Sequence, residues 1–267
     1  MRGDGTGLEA MLLAINANNT NTKFAVYDGG DLKGAWRQHT SPARTADEYM
    51  VWLGQLMAMS GLKPQDIDGA IIATVVPPTL FNLKELCKQY FDSPPLVVGD
   101  PSVDLGIRIL MERPQEVGAD RLANAVGGNL LFREALIVVD FGTATTFDVV
   151  ADNGDYSGGV IAPGINLSLE ALHGQTAKLP RIAVERPPRV IGRDTLGAMQ
   201  SGIYWGYVSL IEGVVARIRE EWARPMRVVA TGGLAPLFFG ATPVLERLEP
   251  EITMRGLVEI YRRNARP

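Results

Sequence analysis

The residues best suited to chemistry in this chain come as two matched segments. Asn16-Ala-Asn-Asn-Thr-Asn-Thr and Asp140-Phe-Gly-Thr-Ala-Thr-Thr each follow one aliphatic run and precede another. A carboxylate at a strand end can orient a hydrated cation, a glycine allows a tight turn, and successive hydroxyls and backbone N–H groups can hold phosphate oxygens. The pattern suits a nucleoside triphosphate. Turns are rich in these residue types whatever their role, so an ordinary polar hairpin is the competing reading of either segment alone. The repetition weighs against it. A third segment, Val228-Val-Ala-Thr-Gly-Gly-Leu-Ala, runs an apolar strand into Gly232 and Gly233, which let a base or ribose approach the backbone closely.

The elements that must position these residues follow from hydrophobic period and turn chemistry. Leu12 to Ile15 and Phe24 to Tyr27 read as two strands around the first polar segment, with a third from Leu32 to His39. Thr45 to Ser60 carries Tyr49, Trp52, Leu53, Leu56 and Met57 at helical spacing and stops at Gly61. Asp68 to Val76 is a near-continuous apolar strand, Thr79 to Tyr90 a helix, Leu96 to Val98 a short strand, and Gly118 to Asn129 a helix whose small residues allow close packing. From Ala135 the pattern restarts. Leu136 to Asp140, a turn over Phe141 to Thr146, and Phe147 to Val150 repeat the opening hairpin. Then come Ser157 to Ala162, helices from Leu167 to Leu172 and Thr195 to Glu221, the strand Met226 to Ala230 and a closing helix from Thr253 to Arg263. The predicted fold is α/β, with two duplicated mixed sheets and flanking helices. Residues 1–10, which lack the apolar stretch of a signal peptide, read as an extension or cloning scar. Residues 11–130 form an N-terminal domain and residues 131–267 a C-terminal one, meeting near Gly127 to Glu134.

Composition bounds the function. A chain of 267 residues has length for two medium domains, and 46% hydrophobic with 21% charged residues is ordinary for a globular protein. A net charge of -4 leaves no electrostatic footprint for nucleic acid, and the apolar runs are too short to span a bilayer. The single Cys87 cannot form an internal disulfide, which suits a reducing cytoplasm.

Two phosphate hairpins followed by a late strand-Thr-Gly-Gly make up the layout of the acetate and sugar kinase and actin superfamily. That likeness implies two ribonuclease-H-like domains, with the active site in the cleft between them. More narrowly, the chain resembles type III pantothenate kinases. The motifs that carry this are Asn19-Thr-Asn-Thr, Gly118-Ala-Asp-Arg, Asp140-Phe-Gly-Thr-Ala-Thr-Thr-Phe-Asp, Gly158-Gly-Val-Ile-Ala-Pro-Gly, Val190-Ile-Gly-Arg-Asp-Thr, Ala198-Met-Gln-Ser-Gly-Ile and Ala230-Thr-Gly-Gly-Leu-Ala, spread from residue 11 to about residue 262. The resemblance implies ATP-dependent phosphorylation of pantothenate on its primary hydroxyl, the first step toward coenzyme A. It also implies a cytoplasmic homodimer that uses Mg2+ with ATP and a monovalent cation, K+ or NH4+. By the same resemblance Asp120 is the general base. Met111, Gly118, Ala119, Asp120, Arg121 and Thr195 bind the substrate. Asn16, Ala17, Asn18, Asn19, Thr20, Asn21, Thr22 and Lys23 form the first ATP loop, Thr143 touches ATP phosphate, Gly232 and Gly233 lie beside the nucleotide, and Asp140 is the cation ligand.

Read on their own, the residues leave alternatives open. Asp120-Arg121 also reads as a surface or capping pair, and Arg121 as half of a salt bridge instead of a partner for the substrate carboxylate. Asp148 is either a second cleft carboxylate or solvent-exposed. His39 and His173 are too isolated for a metal pair, and the four tryptophans follow packing periodicity. Ile203 to Ile211 reads as core or dimer contact, and Arg217, Arg219 and Arg224 as a solvated helix face.

One departure stands out. The family's first loop reads Asp-x-Gly-Asn-Thr, and here Asn16 and Asn18 replace the Asp and Gly. The internal copy gives the same contrast, with Asn16 facing Asp140 and Asn18 facing Gly142. Losing one charge about 4 Å from a cation, at an effective dielectric of about 20, removes about 4 kcal/mol of gross attraction before desolvation. The expectation is weakened ATP use. A non-catalytic relative that binds small molecules is the competing class, and a kinase for another acceptor fits the Gly118 to Arg121 and Val190 to Thr195 segments less well.

Overall fold

The computed structural model describes residues 10–174, 180 and 182–265. Residues 1–9, most of the expected N-terminal extension, lie outside that range. The chain divides into two compact units. One takes the chain up to Arg108, then Glu112–Leu131 and everything from Ile252; the other takes Ile109–Met111 and Phe132–Glu251. The passage at Leu131 falls inside the stretch expected to join the halves. The tail expected with the second half belongs instead to the first unit, because its helix packs there.

The first unit opens with β1 (Met11–Ala17), β2 (Asn21–Asp28) and β3 (Asp31–His39), an antiparallel meander, followed by α1 (Ala46–Met59), β4 (Gly69–Thr74), α2 (Pro77–Phe91) and β5 (Leu96–Val97). Its five strands lie in the order β3-β2-β1-β4-β5, with β4 parallel to β1 and β5 parallel to β4. Alternation decides the faces. Leu13, Ile15, Phe24 and Val26 point into a core closed by Tyr49, Leu53 and Met57, which recur every fourth residue along α1. That helix starts at a capping box, with Thr45 and Glu48 each bonding the other's backbone N–H. Asp92 ends α2 in the left-handed conformation at φ 49°.

Two more helices complete this unit, α3 (Ala119–Phe132) and, from the far end of the sequence, α7 (Ile252–Asn264). The small residues of α3 do pack closely. A Cβ on Gly127 would lie 2.1 Å from the carbonyl oxygen of Ile252, and one on Gly256 would lie 1.9 Å from that of Ala123. The two backbones therefore touch at glycines. Thr253 Oγ1 donates to the fully buried Asn124 Oδ1 at 2.6 Å across the same contact.

The second unit repeats the plan. Strands β6 (Leu136–Phe141), β7 (Ala144–Val150) and β8 (Tyr156–Pro163) form the meander. Helices α4 (Ile165–Gly174) and α5 (Thr195–Trp222), strand β9 (Arg227–Thr231), the short α6 (Ala235–Phe238) and β10 (Arg247–Leu248) follow. The sheet runs β8-β7-β6-β9-β10, the same order and directions as the first. The expected α/β duplication is the observed one. Ile137, Val139, Phe147, Val149, Val228 and Ala230 face a core filled from α5 by Tyr204, Tyr207, Val208 and Ile211. The stretch Ile203 to Ile211 is thus largely core, and Phe141 stacks on Phe238 with ring centroids 5.4 Å apart. The second hairpin is tighter than expected, since Phe141 already pairs with Thr145 and β7 begins at Ala144.

Candidate active site

In both units the polar turn leaves the sheet on the same side. Asn16 and Asp140 are each the penultimate residue of their strand, and each sits on the face opposite the hydrophobic core just described. The turns differ in length by one residue: Asn18 N–H donates to Asn21 O at 3.0 Å, three residues on, and Gly142 N–H donates to Ala144 O at 3.1 Å, two residues on. The sequence repeat is therefore a repeat of topology and of strand-end position, with a tighter second turn.

The first turn is tied down by a residue the motif reading missed. Thr40, just after β3, donates from Oγ1 to Asn18 O at 2.7 Å and from N–H to Thr20 O at 3.0 Å, while its hydroxyl meets that of Thr22 at 2.8 Å. Only a tertiary contact reveals it, because nothing in the local sequence around Thr40 marks it. With the loop anchored, Asn19, Thr20 and Asn21 are left exposed at its tip. Asn16 is 7% exposed, and the Oδ1 atoms of Asn16 and Asn18 are both buried without a hydrogen-bond partner. Such an acceptor costs free energy unless a donor reaches it. Water on a hydrated Mg2+ is a donor of the required kind, so the loop still fits a metal-nucleotide, through neutral amide oxygens instead of a carboxylate.

Asn18 carries no left-handed backbone strain. Among the described residues the left-handed non-glycine ones are Asp92, Arg133 and Ala223, and the counterpart Gly142 is not left-handed either. The position needs no glycine for its φ.

The second turn is built by close approaches. Gly232 has φ 92°, and a Cβ there would stand 2.5 Å from Asp140 Oδ1 and 2.6 Å from Phe141 N. Gly164 N–H donates to Thr143 O at 3.1 Å, and a Cβ on Gly164 would collide with that oxygen at 2.2 Å. Gly233 faces open space. Thus Gly232 packs on the Asp140 carboxylate and Gly233 leaves room beside it. Thr143 is exposed at the tip of the turn. The donor set of a carboxylate with neighbouring hydroxyls suits a hard cation.

Asp120 belongs to the first unit, near the first loop. Val75 N–H donates to Ala17 O at 3.1 Å, and Val75 Cγ1 stands 3.3 Å from where a Cβ on Gly118 would be. That same Cβ would be 2.7 Å from Asp120 Oδ1. The chain from loop to carboxylate is therefore one side chain long. Asp120 opens α3 beside the buried Ala119 and accepts from Arg121 N–H at 2.8 Å. Desolvation pushes its carboxyl above the usual range, and the Arg121 N–H and guanidinium pull it partly back. A half-desolvated carboxylate at a helix start is an able proton acceptor.

The other expected substrate residues lie in the second unit. Met111 is held there because Leu110 N–H donates to Tyr156 O at 2.8 Å and Ile109 bridges to Tyr156; its Sδ is 3.4 Å from the Cβ position of Gly158. Thr195 starts α5 next to the cap Asp194, which accepts from Gly197 N–H at 2.7 Å. It borders a hollow of about 570 Å³ that is also lined by Leu172, Ala198, Met199, Gly202 and Ile203.

Of the two alternatives left open for Asp148, solvent exposure is excluded. It is neither exposed nor at the tip of the turn, but fully buried, accepting from Tyr156 OH at 2.9 Å and Thr146 Oγ1 at 3.1 Å. His39 is exposed, and among the described residues no group of three or more His, Cys, Asp or Glu could hold a metal. Of the arginines on α5 and just beyond it, Arg219 pairs with Glu246 at 2.6 Å and Arg224 with Asp152 at 3.6 Å. Among the described residues no helix is long and apolar enough to cross a membrane.

Comparison with known proteins agrees with this geometry. The sequence profile described as type III pantothenate kinase matches residues 12–217. A type III pantothenate kinase from Rhodospirillum rubrum is 63% identical over 254 residues, covering 95% of this chain and 99% of the relative. One from Paramagnetospirillum magneticum is 62% identical over 257 residues, covering 96% and 99%. Among solved structures, component A of (R)-2-hydroxyglutaryl-CoA dehydratase from Acidaminococcus fermentans superposes with a TM-score of 0.55 at 14% identity, over 96% of this chain and all of that one. The activator of 2-hydroxyisocaproyl-CoA dehydratase from Clostridium difficile, solved with bound ADPNP, gives 0.55 at 11% identity, over 94% and 93%. These two speak to the fold alone.

Proposed function

The chain belongs to the type III pantothenate kinases, and on that premise we propose that Asp120 is the base in its transfer of phosphate from ATP to the primary hydroxyl of pantothenate. The activity itself, ATP-dependent phosphorylation of pantothenate at the entry to coenzyme A biosynthesis, follows from the family. The observation that carries the base assignment is the setting of Asp120, wedged over the bare Cα of Gly118 with one oxygen on the Arg121 N–H.

Phosphoryl transfer is chiefly positioning and charge stabilisation, and the nucleotide's divalent metal supplies charge neutralisation on the phosphates. This chain's residues do the rest. Asp120 takes the proton of the attacking hydroxyl, Arg121 pairs with the pantothenate carboxylate, and Gly118 and Ala119 complete the substrate-binding turn beside them. Met111 and Thr195 complete the acceptor site. The loop Asn16 to Lys23, with Thr143, Gly232 and Gly233, holds ATP, and Asp140 holds a monovalent cation, K+ or NH4+. The working form is a cytoplasmic homodimer.

Asn16 and Asn18 support a slower enzyme than its relatives with an acidic loop. Phosphorylation assays with ATP, Mg2+ and K+ on this chain and on the double reversion Asn16→Asp, Asn18→Gly decide it: the reversion is faster, and equal high rates in both defeat the idea. The same neutral loop favours a second reading, a binder without turnover. Thermal shift separates the two, since a binder is stabilised by pantothenate yet forms no product.

A further inference from the structure

We infer that Asp148 is a positioning residue for the cation at Asp140, acting through the hydroxyl of Thr146. The inference rests on the reading of Asp140 as a cation ligand. In the β6/β7 ladder Asp140 stands directly opposite Thr146, and Val138 directly opposite Asp148. Directly opposed residues share a sheet face, so Asp140, Thr146 and Asp148 lie together on the side away from the core. Thr146 Oγ1 donates its proton to Asp148 Oδ2 at 3.1 Å, and Tyr156 OH donates to Asp148 Oδ1 at 2.9 Å. A threonine hydroxyl has one proton and two lone pairs. With the proton directed to Asp148, the lone pairs are presented to whatever positive group lies beside Asp140.

The first hairpin serves as an internal control. At the matching register positions Asn16 faces Lys23 and Ala14 faces Ala25. The fold therefore forms this strand pair without a buried acid, and the position of Asp148 carries alanine in the copy that lacks the Asp140 carboxylate. A fully buried carboxylate is a liability wherever packing alone would do. Its presence only behind Asp140 ties it to the cation.

The test uses the full chain. Melting of nucleotide-free protein titrated with KCl against choline chloride, at constant ionic strength, reads cation half-saturation without catalysis; initial rates of phosphorylation read it again. Asp148→Asn and Thr146→Val raise the half-saturating K+ about ten- to a hundredfold, the usual effect of removing an outer-shell partner. Thr146→Ser restores the hydroxyl and with it a half-saturation close to that of the parent. Tyr156→Phe lowers the melting temperature and leaves half-saturation in place, which separates positioning from mere support. If Asp148→Asn fails to fold, Thr146→Val carries the test. Unchanged half-saturation in Thr146→Val overturns the inference. Unchanged half-saturation in Asp140→Asn overturns instead the cation assignment beneath it.

Discussion

A methyl group on Gly118 would stand 2.7 Å from Oδ1 of Asp120 and 3.3 Å from Cγ1 of Val75. Gly118→Ala therefore has to move the carboxylate, because Val75 is fixed behind it by the bond from its N–H to Ala17 O. We expect kcat to fall by about a hundredfold, the effect of displacing a reacting group by about 1 Å, with little change in melting temperature. Steady-state kinetics beside a melting curve check it; a large loss of stability with normal kcat would refute it.

Burial raises the pKa of Asp120, so protonation disables it at a higher pH than an ordinary aspartate. The acid limb of kcat/KM should lie above about pH 4 and vanish in Asp120→Asn, whose residual rate is lower by about 10²- to 10⁴-fold. Stability moves the other way. A carboxyl with a raised folded pKa binds its proton more tightly when folded, so its stabilising contribution is complete below the unfolded pKa and is lost as pH rises through the folded value. At neutral pH Asp120→Asn should melt higher than the parent, and a melting series against pH reads this directly.

Asn16 is buried and Asn18 is free of backbone strain, so the two reversions should differ. Asn16→Asp restores a charge; if a quarter of the gross attraction survives desolvation, about 1 kcal/mol, KM for Mg-ATP improves about fivefold. Asn18→Gly alone gains little, since φ there suits any residue. Titrating ATP and Mg2+ separately for each single variant distinguishes charge from space.

Thr40 bonds the first loop at Asn18 O and meets Thr22. Thr40→Val keeps the shape and removes the hydroxyl, which should lower stability by about 1 kcal/mol. It should also raise KM for ATP more than KM for pantothenate. Equal effects on both substrates would count against a role confined to the nucleotide loop.

Most of the architecture was legible in the sequence because local patterns carried it. Tyr49, Leu53 and Met57 recur at helical spacing, Leu13 and Ile15 alternate along a strand, and the two polar turns repeat. What escaped notice was tertiary. Alternation puts Asp148 on a face, yet it cannot say that Tyr156 will cover it. Thr40 is an unremarkable threonine until β3 brings it to the loop. The glycines of α3 announced a close neighbour without naming it, and the neighbour proved to be more than a hundred residues away.

That neighbour, α7, carries Ile252, Met254, Leu257 and Ile260 into the first unit, packing on β1 and β4 as well as on α3. Placing alanine at Gly127 or Gly256 should overpack this contact and cost about 1–3 kcal/mol, visible as a lower melting temperature. An order of synthesis follows from the same connection. The main body of the second unit, Phe132–Glu251, is continuous, so it leaves the ribosome whole, while the first unit, begun earlier, still waits for its last helix. The half that holds Asp120 is started first and finished last, and a chain cut short before Ile252 would end with its glycine face uncovered.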